Sequence, residues 1–154
     1  VTLNGQSSSI TQLPEHLTLG NWGNQGLPFY SGNITYSTRF ECHIKPESRY
    51  VINFPDYNAS LVEVKLNQNK PLLIGFGNNQ VEITPYLNNG NNVIEIIVYG
   101  SRRNALGPLH LTEDPPVIIG SFSFQYEENK WQEHYKLIPY GIFKAPVILK
   151  SQLT

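Results

Sequence analysis

Four side chains that can bind polar ligands stand close together in the segment GSRRNALGPLH at residues 100–110. They are Arg102, Arg103, Asn104 and His110. Arginine can grip a carboxylate through two N–H groups at once, and all four side chains offer hydrogen bonds that suit the hydroxyl groups of a ligand. The same groups could instead bond loop carbonyls and hold the turn at Gly107, or contact a neighbouring protein module.

Aromatic side chains are a second candidate for ligand binding, because an exposed ring can stack on an apolar face of a ligand. Trp22 has glycines close by on both sides in GNWGNQGLPFYSG at residues 20–32, and Tyr30 follows in the same segment. An exposed Trp22 would form a stacking platform, whereas a buried one would close the rim of the core. Trp131 has similar possibilities, and for it packing in the core or against another module is favoured.

The secondary-structure elements that must position these residues are predicted to be mostly β-strands. Runs of β-branched and aromatic residues alternate with clusters rich in glycine, proline and asparagine. The predicted strands cover residues 33–44, 49–54, 60–66, 80–83, 92–99, 117–125 and 142–150. A single helical turn is expected at residues 84–87, and residues 100–110 are expected to form a non-helical loop after a strand. The pattern predicts an all-β fold, an antiparallel β-sandwich.

The composition of the chain argues against two classes of binding partner, nucleic acids and membranes. The chain has 154 residues, a formal net charge of -1 and 15% charged residues, without a run of one sign. Nucleic-acid binding needs a basic stripe and a membrane span needs roughly 20 apolar residues, so neither partner is expected. Cys42 is the single cysteine, which excludes an internal disulfide and favours a buried apolar thiol over a reactive one.

Two short motifs carry a resemblance to a known family. Residues 64–68, VKLNQ, match a V-x-L-N-G turn in which Gln68 replaces the glycine. Residues 82–92, EITPYLNNGNN, match a D-I-T-x-x-L-x-x-G-x-N segment in which Glu82 replaces the aspartate. Together the motifs resemble the sugar-binding jelly-roll domain of family 2 glycoside hydrolases.

The residues of the second motif have readable physical roles. Thr84 is expected to cap a turn by bonding a nearby backbone amide. Leu87 is expected to fill the core, and Gly90 to allow a left-handed corner before the next strand.

Three longer segments extend the resemblance over most of the chain. Residues 20–40, 102–110 and 131–142 are similar to the C-terminal β-sandwich domains of large bacterial glycoside hydrolases, where a Y-S-G strand and an R-N-x-x-G-P-x-H loop recur. The resemblance implies a galactose-binding-like jelly roll attached to a carbohydrate-active enzyme. It implies carbohydrate and the catalytic module of the parent enzyme as partners, and a secreted or extracellular bacterial protein.

Catalysis by this chain itself is not expected. Glycosidases use two carboxylates across a cleft, and the candidates here fall in polar, loop-like runs. They are Glu113, Asp114, Glu127, Glu128 and Glu133. The sequence has no nucleophile elbow, zinc-type cluster or phosphate-binding glycine loop, and we expect no cofactor. A structural calcium ion is conceivable, but Asp56 and Asp114 are the only aspartates that could bind it.

The sequence therefore predicts a single β-sandwich domain over residues 1–154, with residues 1–12 as a linker remnant. The lack of methionine and the start at Val1 lead us to expect a domain excised from a longer protein. Its predicted function is that of a non-catalytic carbohydrate-binding module of a glycoside hydrolase. The predicted ligand-binding residues are Trp22, Tyr30, Arg102, Arg103, Asn104, His110 and Trp131. The alternative is a structural accessory domain that packs on the catalytic module without independent sugar binding.

Overall fold

The computed structural model describes residues 2–3, 6–7, 12–113, 118–124 and 128–152, and most of the regular structure in these ranges is strand. The strands are β1 (Thr2–Leu3), β2 (Gln6–Ser7), β3 (Asn33–Cys42), β4 (Ser48–Asn53), β5 (Tyr57–Asn58), β6 (Leu61–Leu66), β7 (Leu72–Ile74), β8 (Gln80–Glu82), β9 (Gly90–Tyr99), β10 (Gly141–Ile142) and β11 (Val147–Gln152). The helical elements are one turn of α-helix, α1 (Arg103–Leu106), and 3₁₀ turns at Trp22–Gln25, Thr84–Tyr86, Ser121–Phe124 and Glu128–Lys130.

Two antiparallel sheets enclose one core. One sheet has four strands in the order β3-β9-β6-β7, and the other has three in the order β11-β4-β8. The pairs β1-β2 and β5-β10 form two-stranded ribbons. All pairings between the described strands are antiparallel. The prediction of an all-β, antiparallel β-sandwich is confirmed.

The core is built by the alternation of buried and exposed residues that a pleated strand requires. The buried residues of β6 and β9 include Val62, Val64, Leu66, Ile94, Ile96 and Val98. Tyr50 and Ile52 of β4 join the same cluster from the other sheet. Burying one such aliphatic side chain stabilises the fold by about 1.5–3 kcal/mol relative to exposure. A shift of one residue in register would turn the whole set to solvent, so the pattern specifies the pairing.

Two predicted strands differ from the structure. Where a strand was expected at residues 117–125, the described residues 118–124 contain a 3₁₀ turn at Ser121–Phe124, and residues 117 and 125 lie outside the described ranges. The run at residues 142–150 is split into β10 and β11. It bends between them because the N–H groups of Phe143 and Lys144 both donate to the carbonyl oxygen of Asp56, at 2.9 and 3.2 Å.

Two buried or half-buried asparagines close one end of the sandwich. Asn92 is 1% exposed, and its amide group accepts from the N–H of Asn88 and donates to the carbonyls of Asn88 and Gly90, at 2.8 to 2.9 Å. Asn67 donates to the Asn92 side-chain oxygen at 2.8 Å and accepts from the N–H of Val93 at 2.9 Å. We call this end, with its turns at residues 43–47, 67–71 and 84–89, the turn end.

The motif residues Thr84, Leu87 and Gly90 all serve the turn end. Leu87 is buried and Gly90 has a φ of 96°, as expected. The role predicted for Thr84 is corrected, because its hydroxyl does not cap its own turn. It accepts from the N–H of Tyr50 at 2.8 Å and donates to the Tyr50 carbonyl at 3.2 Å, and so joins the turn to β4. Gln68, at the position where the V-x-L-N-G motif has glycine, adopts a left-handed φ of 63°.

The register places the candidate loops at the opposite end. Tyr99, the last residue of β9, pairs with Asn33 at the start of β3 and with Leu61 at the start of β6. Ile74, the last residue of β7, pairs with Val62. The segments that precede β3 and β6 therefore emerge together with those that follow β7 and β9. We call this the loop end, and it comprises residues 20–32, 54–60, 75–79, 100–112 and 130–146.

Candidate functional site

The segment at residues 100–110 contains one turn of α-helix, which corrects the prediction of a non-helical loop. In α1 the N–H of Leu106 donates to the carbonyl of Arg102 at 2.8 Å, and the N–H of Gly107 donates to that of Arg103 at 2.9 Å. Alanine and leucine at its third and fourth positions are strong helix formers. Pro108 has no N–H to continue the ladder, so the glycine–proline pair ends a helix here without preventing one.

Asn104 lies inside the protein. It is 5% exposed, its amide nitrogen donates to the carbonyl of Ile138 at 2.7 Å, and its amide oxygen accepts from the N–H of Ile138 at 2.9 Å. All of these groups are backbone or buried amide, so the side chain holds two segments of the loop end together. Of the roles weighed for Asn104, the structural one matches this position.

Arg102 and Arg103 have different surroundings although they are adjacent. Arg102 is exposed, whereas Arg103 is half-buried beneath the turn at Gly107. One Arg103 nitrogen, Nη2, donates to the carbonyl of Pro108 at 3.5 Å, and the other, Nη1, is buried without a partner among the described residues. Burial lowers the pKa of Arg103, and the nearby Tyr140 opposes that effect. Arg102 is therefore the arginine with a guanidinium open to a ligand.

Trp22 lies in the core, and its indole offers no exposed face. The side chain is 1% exposed, and its Nε1 donates to the hydroxyl of Tyr36 at 2.9 Å. Burial raises the pKa of Tyr36, although the bond from Trp22 acts in the opposite direction. A Cβ atom at Gly100 or Gly141 would lie within 3.2 Å of the indole, so these two glycines make room for it. The position matches the rim-closing role weighed for Trp22.

Tyr30 lies beside Trp22 but reaches the surface. The two rings meet edge to face with centroids 6.2 Å apart, and Tyr30 is 38% exposed. Its hydroxyl donates to the carbonyl of Asn33 at 2.9 Å. The ring can present part of one face to a ligand, while its hydroxyl is already used by the protein.

An aromatic cluster occupies the surface of the loop end. The rings of His110 and Trp131 are stacked, with centroids 5.4 Å apart and an interplanar angle of 18°. Tyr135 packs on His110 at 4.9 Å, and Phe29 meets Tyr135 edge to face at 5.1 Å. Trp131 is 44% exposed and Tyr135 is 56% exposed. We call these four residues the aromatic cluster.

Backbone hydrogen bonds fix the rings of this cluster to one another. Leu111 and Trp131 form an antiparallel bridge, and the N–H of Gln132 donates to the carbonyl of His110 at 2.9 Å. Two further bonds close the same ribbon, from the Gln132 side chain to the Leu111 carbonyl at 3.0 Å and from the N–H of Lys136 to the Leu109 carbonyl at 2.7 Å. These bonds hold the two segments that carry the indole and the imidazole side by side.

His110 has a defined orientation. Its Nδ1 lies 2.9 Å from the carbonyl oxygen of Gln132, and because a carbonyl can only accept, Nδ1 carries the proton. In the neutral imidazole the other ring nitrogen, Nε2, is then an acceptor. A sugar hydroxyl that approaches the cluster would find this acceptor beside a stacked indole.

The structure thus brings His110 and Trp131 together and separates them from the buried Trp22 and Asn104. Tyr135 and Phe29 were not among the predicted ligand-binding residues. The segment WQEHY at residues 131–135 has polar residues between its aromatic ends, which is a signal of an exposed ring pair. Without the pairing to residues 109–112, however, nothing in the sequence links that segment to His110.

A separate cleft of about 570 Å³ opens between the edge strands β3 and β11. Its lining is mostly apolar and includes Phe40, Ile94, Ile96 and Ile148. Cys42, also on β3, is half-buried and packs against the same core. Few polar groups line this cleft, so it does not suit a sugar.

The described part of the chain contains no cluster of metal ligands and no helix that could cross a membrane. Among those residues no three histidine, cysteine, aspartate or glutamate side chains cluster as metal ligands would. Asp56, one of the two aspartates considered for calcium, lies 3.8 Å from the Lys144 ammonium, and Asp114 is outside the described ranges. Every helix in those ranges is too short or too polar to cross a membrane.

The fold is similar to parts of much longer glycosidase chains. A rhamnosidase from Novosphingobium sp. PP1Y aligns over 82% of this chain and 12% of its own, with a TM-score of 0.59 and 17% identity. An FMN-binding β-glucuronidase from Faecalibacterium prausnitzii L2-6 aligns over 97% of this chain and 20% of its own, with a TM-score of 0.51 and 16% identity. The chain thus spans a small fraction of either structure. No family model matches the sequence, and no curated protein is detectably similar to it.

Proposed function

We propose that this chain is a non-catalytic carbohydrate-binding module of a glycoside hydrolase, with a galactose-binding-like jelly roll as its fold. The similar structures are named as a rhamnosidase and a β-glucuronidase, and the chain corresponds to 12% and 20% of them, which supports an accessory position. Such a module holds its enzyme on a glycan substrate. The parent enzyme would be bacterial and secreted or extracellular.

The observation that carries the proposal is the stacked pair of His110 and Trp131 at the loop end. One face of the indole is covered by the imidazole, and 44% of the side chain remains exposed. A half-exposed indole that is stacked on a second ring presents a flat apolar surface, and the apolar face of a pyranose matches such a surface. Tyr135 extends the platform to one side.

Polar groups of the loop end would orient the sugar. His110 offers Nε2 as an acceptor, and the exposed guanidinium of Arg102 offers donors for hydroxyls or for a sugar carboxylate. Trp22 and Asn104 would act as positioning residues, because their side chains hold the loop segments from inside. Arg103 would support the turn from which Arg102 projects, and Tyr30 would supply a partly exposed ring.

A binding assay on defined glycans tests this function. The panel should include rhamnose-containing and glucuronate-containing oligosaccharides, titrated calorimetrically against the wild type and Trp131→Ala. Loss of a stacking contact of about 1 kcal/mol should weaken binding by about fivefold. Phe122→Ala is the matched control, because Phe122 is an exposed aromatic residue outside the cluster, 62% exposed. If the folded wild type and the folded Trp131→Ala variant bind the glycan with equal affinity, the stacked pair of His110 and Trp131 is not the binding site.

A second function is favoured by a different observation, the exposed apolar residues at positions 118–124. They are Ile118, Ile119, Phe122 and Phe124, and each is at least 43% exposed. Clusters of this kind commonly mark protein–protein contacts. In the alternative function the chain is a structural accessory domain that packs on the catalytic module through this patch.

The two functions predict opposite results for one pair of variants. If the chain is only an accessory domain, the folded wild type binds no glycan of the panel. Phe122→Asp then loosens its contact with the catalytic module in the full-length enzyme, as seen by limited proteolysis. If it is a carbohydrate-binding module, Trp131→Ala reduces glycan retention of the full-length enzyme and Phe122→Asp does not.

A further inference from the structure

Phe76 is the most exposed large apolar side chain in the described part of the protein. Its relative exposure is 102%, so no neighbouring residue shields the ring. Its backbone φ is 55°, in the left-handed region that bulky residues rarely adopt. Gly75 and Gly77 flank it, and Gly77 has a φ of 87°. A phenylalanine is thus held at the tip of a turn where glycine would fit the backbone better.

The turn that carries Phe76 is anchored on the sheet beneath it. The N–H of Asn78 donates to the carbonyl of Gly75 at 3.1 Å, and the N–H of Phe54 donates to the carbonyl of Asn79 at 2.8 Å. The side-chain oxygen of Asn78 also accepts from the N–H of Gln80, at 3.3 Å. These bonds order the base of the turn, so the ring projects from a defined support.

Neither the strain nor the exposure of Phe76 benefits the isolated fold. A left-handed φ disfavours any residue with a Cβ atom, and an exposed ring keeps its apolar surface in water. Residues kept in such states concentrate at sites of recognition, where a ligand supplies the missing contact. The exposed ring therefore points to a binding partner.

The surroundings of Phe76 favour a sugar over a protein. Two glycines and the amide side chains of Asn78 and Asn79 are its neighbours along the turn. Surfaces that contact other proteins commonly expose several apolar residues together, as positions 118–124 do. A single ring beside amide donors and acceptors suits instead a pyranose, which has an apolar face and hydroxyls at its edge.

Phe76 also lies at the same end of the sandwich as the aromatic cluster. The pairing of Val62 with Ile74 and of Leu61 with Tyr99 sets the turn after β7 and the loop after β9 at the loop end. The turn is tied to that end a second time, because the hydroxyl of Tyr57 donates to the carbonyl of Asn78 at 3.4 Å. One extended ligand could run across both sites.

We propose that Phe76 forms a second sugar subsite, and that the ligand of this module is a glycan chain of several units that spans from the aromatic cluster to the turn at Phe76. The inference rests on the proposed carbohydrate-binding function and adds the class of ligand. A single terminal sugar would need the aromatic cluster alone.

Affinity as a function of glycan length tests the second subsite. The probe is a ladder from disaccharide to decasaccharide, prepared by partial hydrolysis of a plant polysaccharide that contains rhamnose and glucuronate. Wild type, Phe76→Ala, Phe76→Trp and the control Phe122→Ala are titrated against each fraction. Because the Phe76 side chain packs on nothing, Phe76→Ala should melt at the wild-type temperature, which separates a binding effect from a folding effect.

The subsite predicts that affinity rises along the ladder for the wild type and for Phe122→Ala. In Phe76→Ala the rise should disappear, with a loss of about threefold to tenfold for the longest glycans and none for the shortest. Phe76→Trp should restore the rise. If Phe76→Ala binds glycans of every length with the wild-type affinity, the proposal of a second subsite is wrong, whereas the proposed binding site at the aromatic cluster is unaffected. If the wild type binds no glycan of any length, the carbohydrate-binding function itself is overturned, and the subsite with it.

Discussion

The side-chain amide of Asn104 pairs with the backbone of Ile138 as a neighbouring strand would. One bond runs from the amide nitrogen to the Ile138 carbonyl at 2.7 Å, and the other from the Ile138 N–H to the amide oxygen at 2.9 Å. The pair joins the helical turn α1 to the segment that leads into β10. It therefore controls the position of the loop from which Arg102 projects.

Asn104→Ala should destabilise the protein by about 1–3 kcal/mol, because the part-buried N–H and carbonyl of Ile138 lose their partners together. Urea unfolding monitored by circular dichroism measures the loss. Arg102→Ala, on the exposed neighbour, is the control and should stay within about 0.5 kcal/mol of the wild type. A small effect of Asn104→Ala would mean that water or a rearranged loop satisfies Ile138.

Tyr36→Phe should destabilise the protein by about 1–2 kcal/mol, because the buried N–H of Trp22 loses its acceptor while the ring stays in place. Thermal unfolding measures the loss. Tyr30→Phe is a matched control, since the Tyr30 hydroxyl donates to a backbone carbonyl at a more exposed position. Equal effects of the two variants would show that burial of the Trp22 bond contributes nothing extra.

Gly141→Ala should cost at least about 3 kcal/mol and could prevent folding. The φ of Gly141 is 136°, which suits glycine alone, and a Cβ atom would collide with the carbonyl oxygen of Gly20. Gly77→Ala is the control, because its φ is also positive, at 87°, but the space around it is open. It should cost only about 1–2 kcal/mol. Similar losses of stability in Gly141→Ala and Gly77→Ala would show that the close approach of the Gly20 carbonyl oxygen to Gly141 adds no further cost.

Glu63 should give the protein an acid-sensitive contribution to stability. Its carboxylate accepts from Lys65 at 3.0 Å and from the Tyr99 hydroxyl at 2.8 Å, and these bonds, Lys65 first, lower the pKa of Glu63. An acid with a lowered folded pKa stabilises the fold above its unfolded pKa, about 4.3, and that contribution is lost as pH falls through the folded pKa.

Glu63→Gln should remove this component, so the variant should lose less stability than the wild type as the pH falls from about 4.3 into the acid range. Unfolding by urea across that range gives both curves. Glu15→Gln, on an exposed carboxylate outside the sheets, is the control and should reproduce the wild-type curve. Parallel curves for the wild type and Glu63→Gln would show that Lys65 and Tyr99 do not favour the charged form.

The sheet was largely predictable from the sequence because a strand with one buried face carries its period in the chain itself. β3, β4, β6, β8 and β9 all lie at the predicted positions within about two residues. The run at residues 142–150 was harder, since the bend within it depends on Asp56, a residue far away in the sequence. The 3₁₀ turn at Ser121–Phe124 was missed because its apolar residues resemble those of a strand.

The site was less predictable because exposure depends on contacts between distant segments. The glycines beside Trp22 suggested a displayed indole, yet Gly100 and Gly141, far along the chain, open the space that buries it. The exposed Trp131 looked more like a packing residue, and only its pairing with Leu111 sets it over His110. The residues adjacent to each tryptophan in the sequence therefore predict neither the burial of Trp22 nor the position of Trp131.

The two asparagines that lock the turn end have a practical consequence for protein engineering. Asn67 and Asn92 hold their turns through bonds that involve no residue of the loop end. Exposed side chains of the loop end, such as Phe76 and Trp131, can therefore be varied while the lock stays unchanged, provided that Asn104 and Gly141 are kept. The turn end is in this sense a fixed base on which exposed residues of the loop end can be exchanged.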